Sequence, residues 1–145
     1  MILRGHRVSK GKASGEAMVS KLPISFFGGV DPATGIINDK DNELNGLSVT
    51  GKILIFPVGK GSSGGSYRLY EMMRSSTAPA GMINLHAEPV IAVGAIFSGI
   101  PMVDKLDRNP LELIKSGDYV ELDADAGMVK VISSKRIGPI EGGAK

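Results

Sequence analysis

One segment, residues 52–74, constrains the fold of this 145-residue chain more than any other. It starts with an uninterrupted apolar run at 53–56, passes through a turn rich in glycine and serine, and ends at 67–74, where apolar residues recur at helical spacing. An uninterrupted apolar run predicts a strand that is buried on both faces, as in the middle of a parallel sheet. The segment therefore predicts a strand–turn–helix unit whose turn lies at the positive end of the helix.

The residues that follow predict an α/β arrangement. Residues 80–85 and 100–103 are expected to form two short strands. Between them, residues 89–97 are apolar nearly throughout, which predicts a buried helix that begins at a proline and stops at Gly99. A β-hairpin is expected over residues 118–132.

The N-terminal half predicts additional strands. Residues 3–9 and 14–21 are expected to form a β-hairpin or two neighbouring strands, and residues 23–27 a third short strand. The central strand is expected to run from residue 48 to residue 56. Together these elements predict an α/β fold with a partly parallel central sheet, helices on it and a second β layer.

The domain prediction is a single domain over residues 1–145. Within it, residues 5–132 are expected to be ordered, and a polar, glycine-rich stretch at 133–145 reads as a loose tail. Asn109 as N-cap, with a proline after it, predicts a short helix up to Gly117.

Composition excludes several classes of function. Seventeen basic residues against fifteen acidic ones give a net charge of +2, which does not indicate a nucleic-acid partner. No apolar run approaches the roughly 20 residues that cross a bilayer, and charged residues come too early for a signal peptide. We therefore expect a cytoplasmic protein with no membrane partner. The chain has no cysteine, and its histidines, His6 and His86, fit no familiar zinc spacing, so no metal site is predicted.

The turn at 57–66 is the candidate site. Its glycines permit close backbone approach to a ligand, a lysine adds a cation, and serine hydroxyls lie near the helix N-terminus. A nucleotide-binding P-loop is a poor match, because Leu54 stands where its first glycine belongs. The predicted binding residues for a small anionic substrate are Lys60, Gly61, Ser63, Gly64 and Ser66.

Ser62 is the candidate catalytic residue of this turn. A serine can act as a base only where N–H donors and a helix dipole stabilise its alkoxide, and a glycine-rich helix start supplies both. The plainer alternative is that Ser62 or Ser63 merely caps the helix. No histidine is near in sequence, although His86 remains open as a partner in space.

Three motifs resemble the small subunit of the aconitase X group. In chain order they are residues 27–35, 56–67 and 99–104, and the resemblance runs from about Gly5 to Ile132. It implies a swivelling β/β/α domain, a heterodimer with a large subunit that carries a [4Fe-4S] cluster, and a hydro-lyase activity. It also implies that Ser62 removes a proton α to a carboxylate.

The branch of the group that this chain resembles most dehydrates mevalonate 5-phosphate to trans-anhydromevalonate 5-phosphate in archaeal isoprenoid synthesis. Another branch acts on cis-3-hydroxyproline. One departure from aconitase concerns Gly64, which stands where aconitase has a substrate-binding arginine. Lys60 or Arg68 is a candidate to replace that charge, and no role is assigned to Asp31 or Asp104.

Two further function classes stay open from the sequence. Swivelling domains also serve as phosphohistidine carriers, and His86 before an apolar helix is similar to the carrier pattern, although the glycines expected before the histidine are missing. A non-catalytic module that only docks onto a partner is the other class.

Overall fold

The computed structural model describes residues 1–61 and 63–132. Ser62 and the predicted tail at 133–145 lie outside the described residues. In chain order the elements are β1 (Ile2–Arg4), β2 (His6–Ser9), β3 (Lys12–Val19), α1 (Phe26–Gly29), β4 (Ile53–Phe56), α2 (Gly64–Arg74), β5 (Gly81–Asn84), α3 (Pro89–Ser98), β6 (Met102–Asp104), α4 (Pro110–Leu113), β7 (Tyr119–Asp123) and β8 (Met128–Ile132).

The strands pair in the order β1-β8-β7-β3-β4-β5-β6-β2. The central part, β3 to β6, is parallel, and Ile55 of β4 lies between Val19 of β3 and Ile83 of β5. The flanking pairs are antiparallel, including the predicted hairpin of β7 and β8. The predicted α/β fold, with a parallel central layer and a second β layer, is confirmed.

The sheet curls back on itself. Its two edge strands, β1 and β2, follow one another in the chain with only Gly5 between them, so the two edges have to lie side by side. The Gly5 N–H donates to the carbonyl of Gly127 in the β7–β8 turn at 2.8 Å, which fixes this junction to the antiparallel part of the sheet.

Alternating residues of β4 divide the core into two clusters. All four residues are fully buried; Ile53 and Ile55 belong to the cluster enclosed by the curl, and Leu54 and Phe56 to the cluster under the helices. The second cluster includes Leu69 of α2. The prediction of a strand buried on both faces is confirmed, because β4 is covered by strands on one side and helices on the other.

Three predictions in the N-terminal half are wrong. The segments at 3–9 and 14–21 do form strands, but they are neither a hairpin nor neighbours in the sheet, because β3 already has β4 and β7 on its two edges and β2 pairs with β6. Residues 23–27 contribute a single bridge, from Ile24 to Gly59, followed by the irregular turn α1. The central strand starts at Ile53, because the chain before it turns, with Lys52 N–H donating to the carbonyl of Val49.

The helix predicted at 89–97 is confirmed, but it is buried on one face only. α3 begins at Pro89 and its cap, Gly99, has a left-handed conformation, as expected. However, only one face of α3 lies on the sheet, and the side chains of Val93, Ile96 and Phe97 are 56%, 60% and 71% exposed. An apolar composition predicts burial but does not say which face of a helix the fold covers.

Candidate active site

The candidate site lies at the carboxyl ends of the parallel strands. The chain leaves β4 at Phe56 and enters α2 at Gly64, so the turn predicted at 57–66 is shorter, and it leaves β5 into a loop at 85–88 from which α3 begins. Because parallel strands end at the same edge of a sheet, both helix N-termini lie at that edge. This is the usual place for a ligand in an open α/β sheet.

Backbone hydrogen bonds hold the turn on two sides. The carbonyl of Pro57 accepts from the N–H of Leu85 at 3.0 Å, which joins the turn to the neighbouring loop. On the other side, the N–H of Lys60 donates to the carbonyl of Ile24 at 3.0 Å. The turn is therefore positioned by the backbone, and its side chains are left for other tasks.

Gly61 is required by the shape of the turn. Its φ is +103°, a conformation that residues with a side chain rarely adopt. A Cβ atom at Gly61 would also lie 2.8 Å from the hydroxyl oxygen of Ser25, which donates to the carbonyl of Phe27 at 2.9 Å. The residue before Ser62 is thus fixed by both backbone conformation and a close neighbour.

The serines of the turn have different surroundings. Ser62 lies outside the described residues, so its assignment as a base stays a prediction. Ser63 is the exposed N-cap residue of α2, and within the described residues its hydroxyl makes no capping hydrogen bond. The hydroxyl of Ser66 donates to the carbonyl of Val90 at 2.5 Å, which links α2 to α3. Toward a substrate, Ser66 is therefore left as an acceptor only.

The two helix N-termini at this edge differ in charge. The carboxylate of Glu88 caps α3, accepting from the N–H groups of Val90 at 2.8 Å and Ile91 at 3.0 Å. The first turn of α2 carries no acidic residue. A helix N-terminus attracts negative charge. On α3 the carboxylate of Glu88 already takes that position, so the N-terminus of α2 is the better place for an anionic ligand.

The two cations considered for the charge near Gly64 also differ. Arg68 is engaged within the fold: its guanidinium donates to the carbonyl of Val30 at 2.8 Å and pairs with Glu71 at 3.2 Å. Lys60 is exposed, and within the part of the chain that the structure describes its ammonium forms no ion pair. Lys60 is therefore the cation available to a ligand.

A family model for the aconitase X swivel domain matches residues 2–131. The chain belongs to the aconitase X swivel-domain family. This agrees with the resemblance of the three sequence motifs and with the observed fold.

Relatives of this family resemble the chain over most of its length. A protein of Methanocella arvoryzae named phosphomevalonate dehydratase small subunit is 55% identical over 131 residues, 90% of this chain and 99% of that protein. One of Thermococcus kodakarensis with the same name is 48% identical over 132 residues, 91% of this chain and 97% of that protein.

Two solved structures have the same fold. The crystal structure of Thermococcus kodakaraensis aconitase X in its holo-form matches with a TM-score of 0.87 and 46% identity, over 92% of this chain and 99% of that one. A solution NMR structure of a protein called UPF0107 matches with a TM-score of 0.84 and 42% identity, over 92% of this chain and 100% of that one.

The remaining candidate residues of this aconitase X swivel domain have local structural partners. One carboxylate oxygen of Asp104 accepts from the N–H of Ala87 at 2.8 Å and so caps the loop that carries the exposed His86. The carboxylate of Asp31 accepts from the N–H of Ala33 at 2.9 Å and the hydroxyl of Thr34 at 3.1 Å, which closes a local turn. Both carboxylates therefore have a local structural role, because each one holds its loop by hydrogen bonds.

Residues 1–61 and 63–132 contain no group of three or more His, Cys, Asp or Glu side chains placed to hold a metal ion. None of the helices in those residues is long and apolar enough to span a bilayer.

Sequence reasoning did not find two residues of this site. Glu88 was overlooked because glutamate is not a typical N-cap residue, although its place directly before Pro89 in an apolar helix was a usable signal. Phe27 was assigned to a strand, and its position beside Gly64 depends on a contact between distant parts of the chain.

We expect Gly61→Ala to lower the free energy of unfolding by about 1–3 kcal/mol, because alanine at this φ is strained. The matched control is Gly46→Ala, at φ +87° with nothing within 4 Å of the added Cβ. Gly61→Ala should cost about 1 kcal/mol more than the control, because Ser25 has to give up its hydrogen bond to Phe27. Urea unfolding of both variants measures this, and equal losses would contradict the close contact at Gly61.

Proposed function

We propose that this chain is the small subunit of a phosphomevalonate dehydratase, a hydro-lyase that converts mevalonate 5-phosphate to trans-anhydromevalonate 5-phosphate. The proposal takes residues 1–145 as one swivelling domain in the cytoplasm of an archaeon. The observation that carries it is the near full-length identity of 55% to a relative of that name, together with an anion-accepting turn at the expected place.

The turn supports the proposed chemistry. Mevalonate 5-phosphate carries a carboxylate and a phosphate, and the N-terminus of α2 with the exposed Lys60 offers positive charge to one of them. Gly61, Ser63 and Gly64 bring backbone and hydroxyl groups close to the ligand. In this proposal Ser62 removes the proton α to the carboxylate, its negative charge stabilised by the helix N-terminus.

The second half of the active site is assigned to a large subunit. A dehydration also needs an acid for the departing hydroxyl, and a [4Fe-4S] cluster in the large subunit supplies Lewis acidity for it. The sequence has no cysteine, so the thiolate ligands of such a cluster have to come from another chain. The relatives' name, small subunit, and the exposed apolar residues Tyr67, Val93 and Ile96 fit a chain that a partner partly covers.

Co-expression with the large subunit and an anaerobic assay test the function itself. We expect the purified complex to dehydrate mevalonate 5-phosphate and the isolated chain to show no turnover, because it holds only one of the two catalytic groups. cis-3-Hydroxyproline is the comparison substrate. Turnover by the isolated chain, or a complex that prefers cis-3-hydroxyproline, would contradict the proposal.

Lys60 tests the anion site. Lys60→Gln removes the charge and should raise the KM for mevalonate 5-phosphate about 10-fold, the loss typical of one charge-assisted contact, with a smaller change in kcat. Lys40→Gln, at another exposed lysine, is the control and should leave KM unchanged. Steady-state kinetics of the two variant complexes measure the KM values. An unaltered KM in Lys60→Gln would contradict the assignment of Lys60 to the substrate site.

A further inference from the structure

The side chain of Phe27 is exposed beside the candidate site. Its neighbour Phe26 is completely buried in the core, whereas Phe27 is 51% exposed at the edge of the sheet that carries the turn. A large aromatic ring held in water at a functional edge gives up part of the stabilisation that burial would bring. The fold therefore has to hold it there by other contacts.

The first contact is with Gly64. A Cβ atom on Gly64 would lie 2.7 Å from Cδ1 and 2.8 Å from Cγ of the Phe27 ring. The ring thus occupies the space where the Cβ atom of any other residue at position 64 would lie. A side chain at position 64, such as the arginine that the resemblance places there in aconitase, would therefore require the Phe27 ring to move.

Two further contacts help to position Phe27. The guanidinium carbon of Arg68 lies 5.1 Å from the ring centroid, and Arg68 is itself held by the carbonyl of Val30. At the backbone, the hydroxyl of Ser25 donates to the Phe27 carbonyl, and Gly28 follows with a φ of +93°. These contacts restrain Phe27, and 51% of the residue stays exposed.

The position of residues 25–27 relative to the turn identifies what the exposed part of Phe27 can meet. A side chain at Gly61 would meet Ser25 and one at Gly64 would meet Phe27, so residues 25–27 lie beside both of these glycines. An apolar surface is thereby placed next to the anion-binding groups of α2. A ligand for this arrangement combines negative charge with an apolar carbon centre.

We propose that the ring of Phe27 is a specificity-determining wall of the substrate site and contacts the methyl-bearing carbon of the substrate. This inference rests on the proposed function, because mevalonate 5-phosphate has a methyl-substituted carbon between its two anionic ends. Phe27 then selects branched hydroxy-acid phosphates, while Lys60 and the N-terminus of α2 bind negative charge.

The test compares mevalonate 5-phosphate with its desmethyl analogue, 3-hydroxy-5-phosphopentanoate, in the assembled complex. The wild-type complex should prefer the methyl substrate in kcat/KM by about 10-fold, which is typical for one carbon in an apolar pocket. Phe27→Ala should reduce this preference to less than about 2-fold, because the methyl group loses its partner. Phe27→Leu, which keeps an apolar side chain, should retain most of the preference.

Controls separate specificity from folding and assembly. Phe97→Ala, at an exposed aromatic residue in the last turn of α3, should keep the full methyl preference. The ratio between two substrates is measured within one variant, so a partly unfolded or weakly assembled sample does not alter it. An active wild-type complex whose methyl preference survives in Phe27→Ala overturns this inference alone. A wild-type complex that does not dehydrate mevalonate 5-phosphate overturns the proposed function and this inference with it.

Discussion

The parallel pairing of β4 with β3 on one side and β5 on the other is the constraint on which the rest of this molecule depends. It requires a strand that is apolar at every position, because one face meets the enclosed cluster and the other meets the helices. It also fixes the direction of β4 and β5, so the turns after both strands lie at one edge with α2 and α3 starting there. The site follows from this topology before any catalytic side chain is considered.

The two helix N-termini at this edge differ in charge, and on the proposed function this difference decides where the anionic substrate binds. Glu88 neutralises α3 from within the chain, and α2 keeps a first turn free of acidic residues, next to the exposed Lys60. On the proposed function, the charged ends of the substrate are bound where α2 begins, and Phe27 covers the carbon between them. On the proposed function a large subunit is needed, because this chain offers a candidate base and a candidate anion site but its sequence has no cysteine to ligate a cluster.

The sequence predicted what local patterns determine. Spacing and turn residues predict the buried strand at 53–56 and the β7–β8 hairpin. They also predict that α3 begins at a proline and ends before a glycine. The pairing of β2 with β6 was missed because it joins residues about a hundred positions apart, which no local pattern encodes. For the same reason, the sequence does not reveal that the ring of Phe27 lies where a Cβ atom on Gly64 would be.

The central claim is that the turn at 57–63 carries the base of an active site completed by a second chain, and that Ser62 is this base. The most direct measurement is the dehydration rate of the assembled complex with Ser62→Ala, beside Ser63→Ala as a neighbouring change of the same size. The account predicts that Ser62→Ala lowers kcat by about 10²–10⁴-fold while binding of the large subunit is unchanged. Ser63→Ala should have a much smaller effect on kcat. A Ser62→Ala complex that assembles and turns over at the wild-type rate would contradict it.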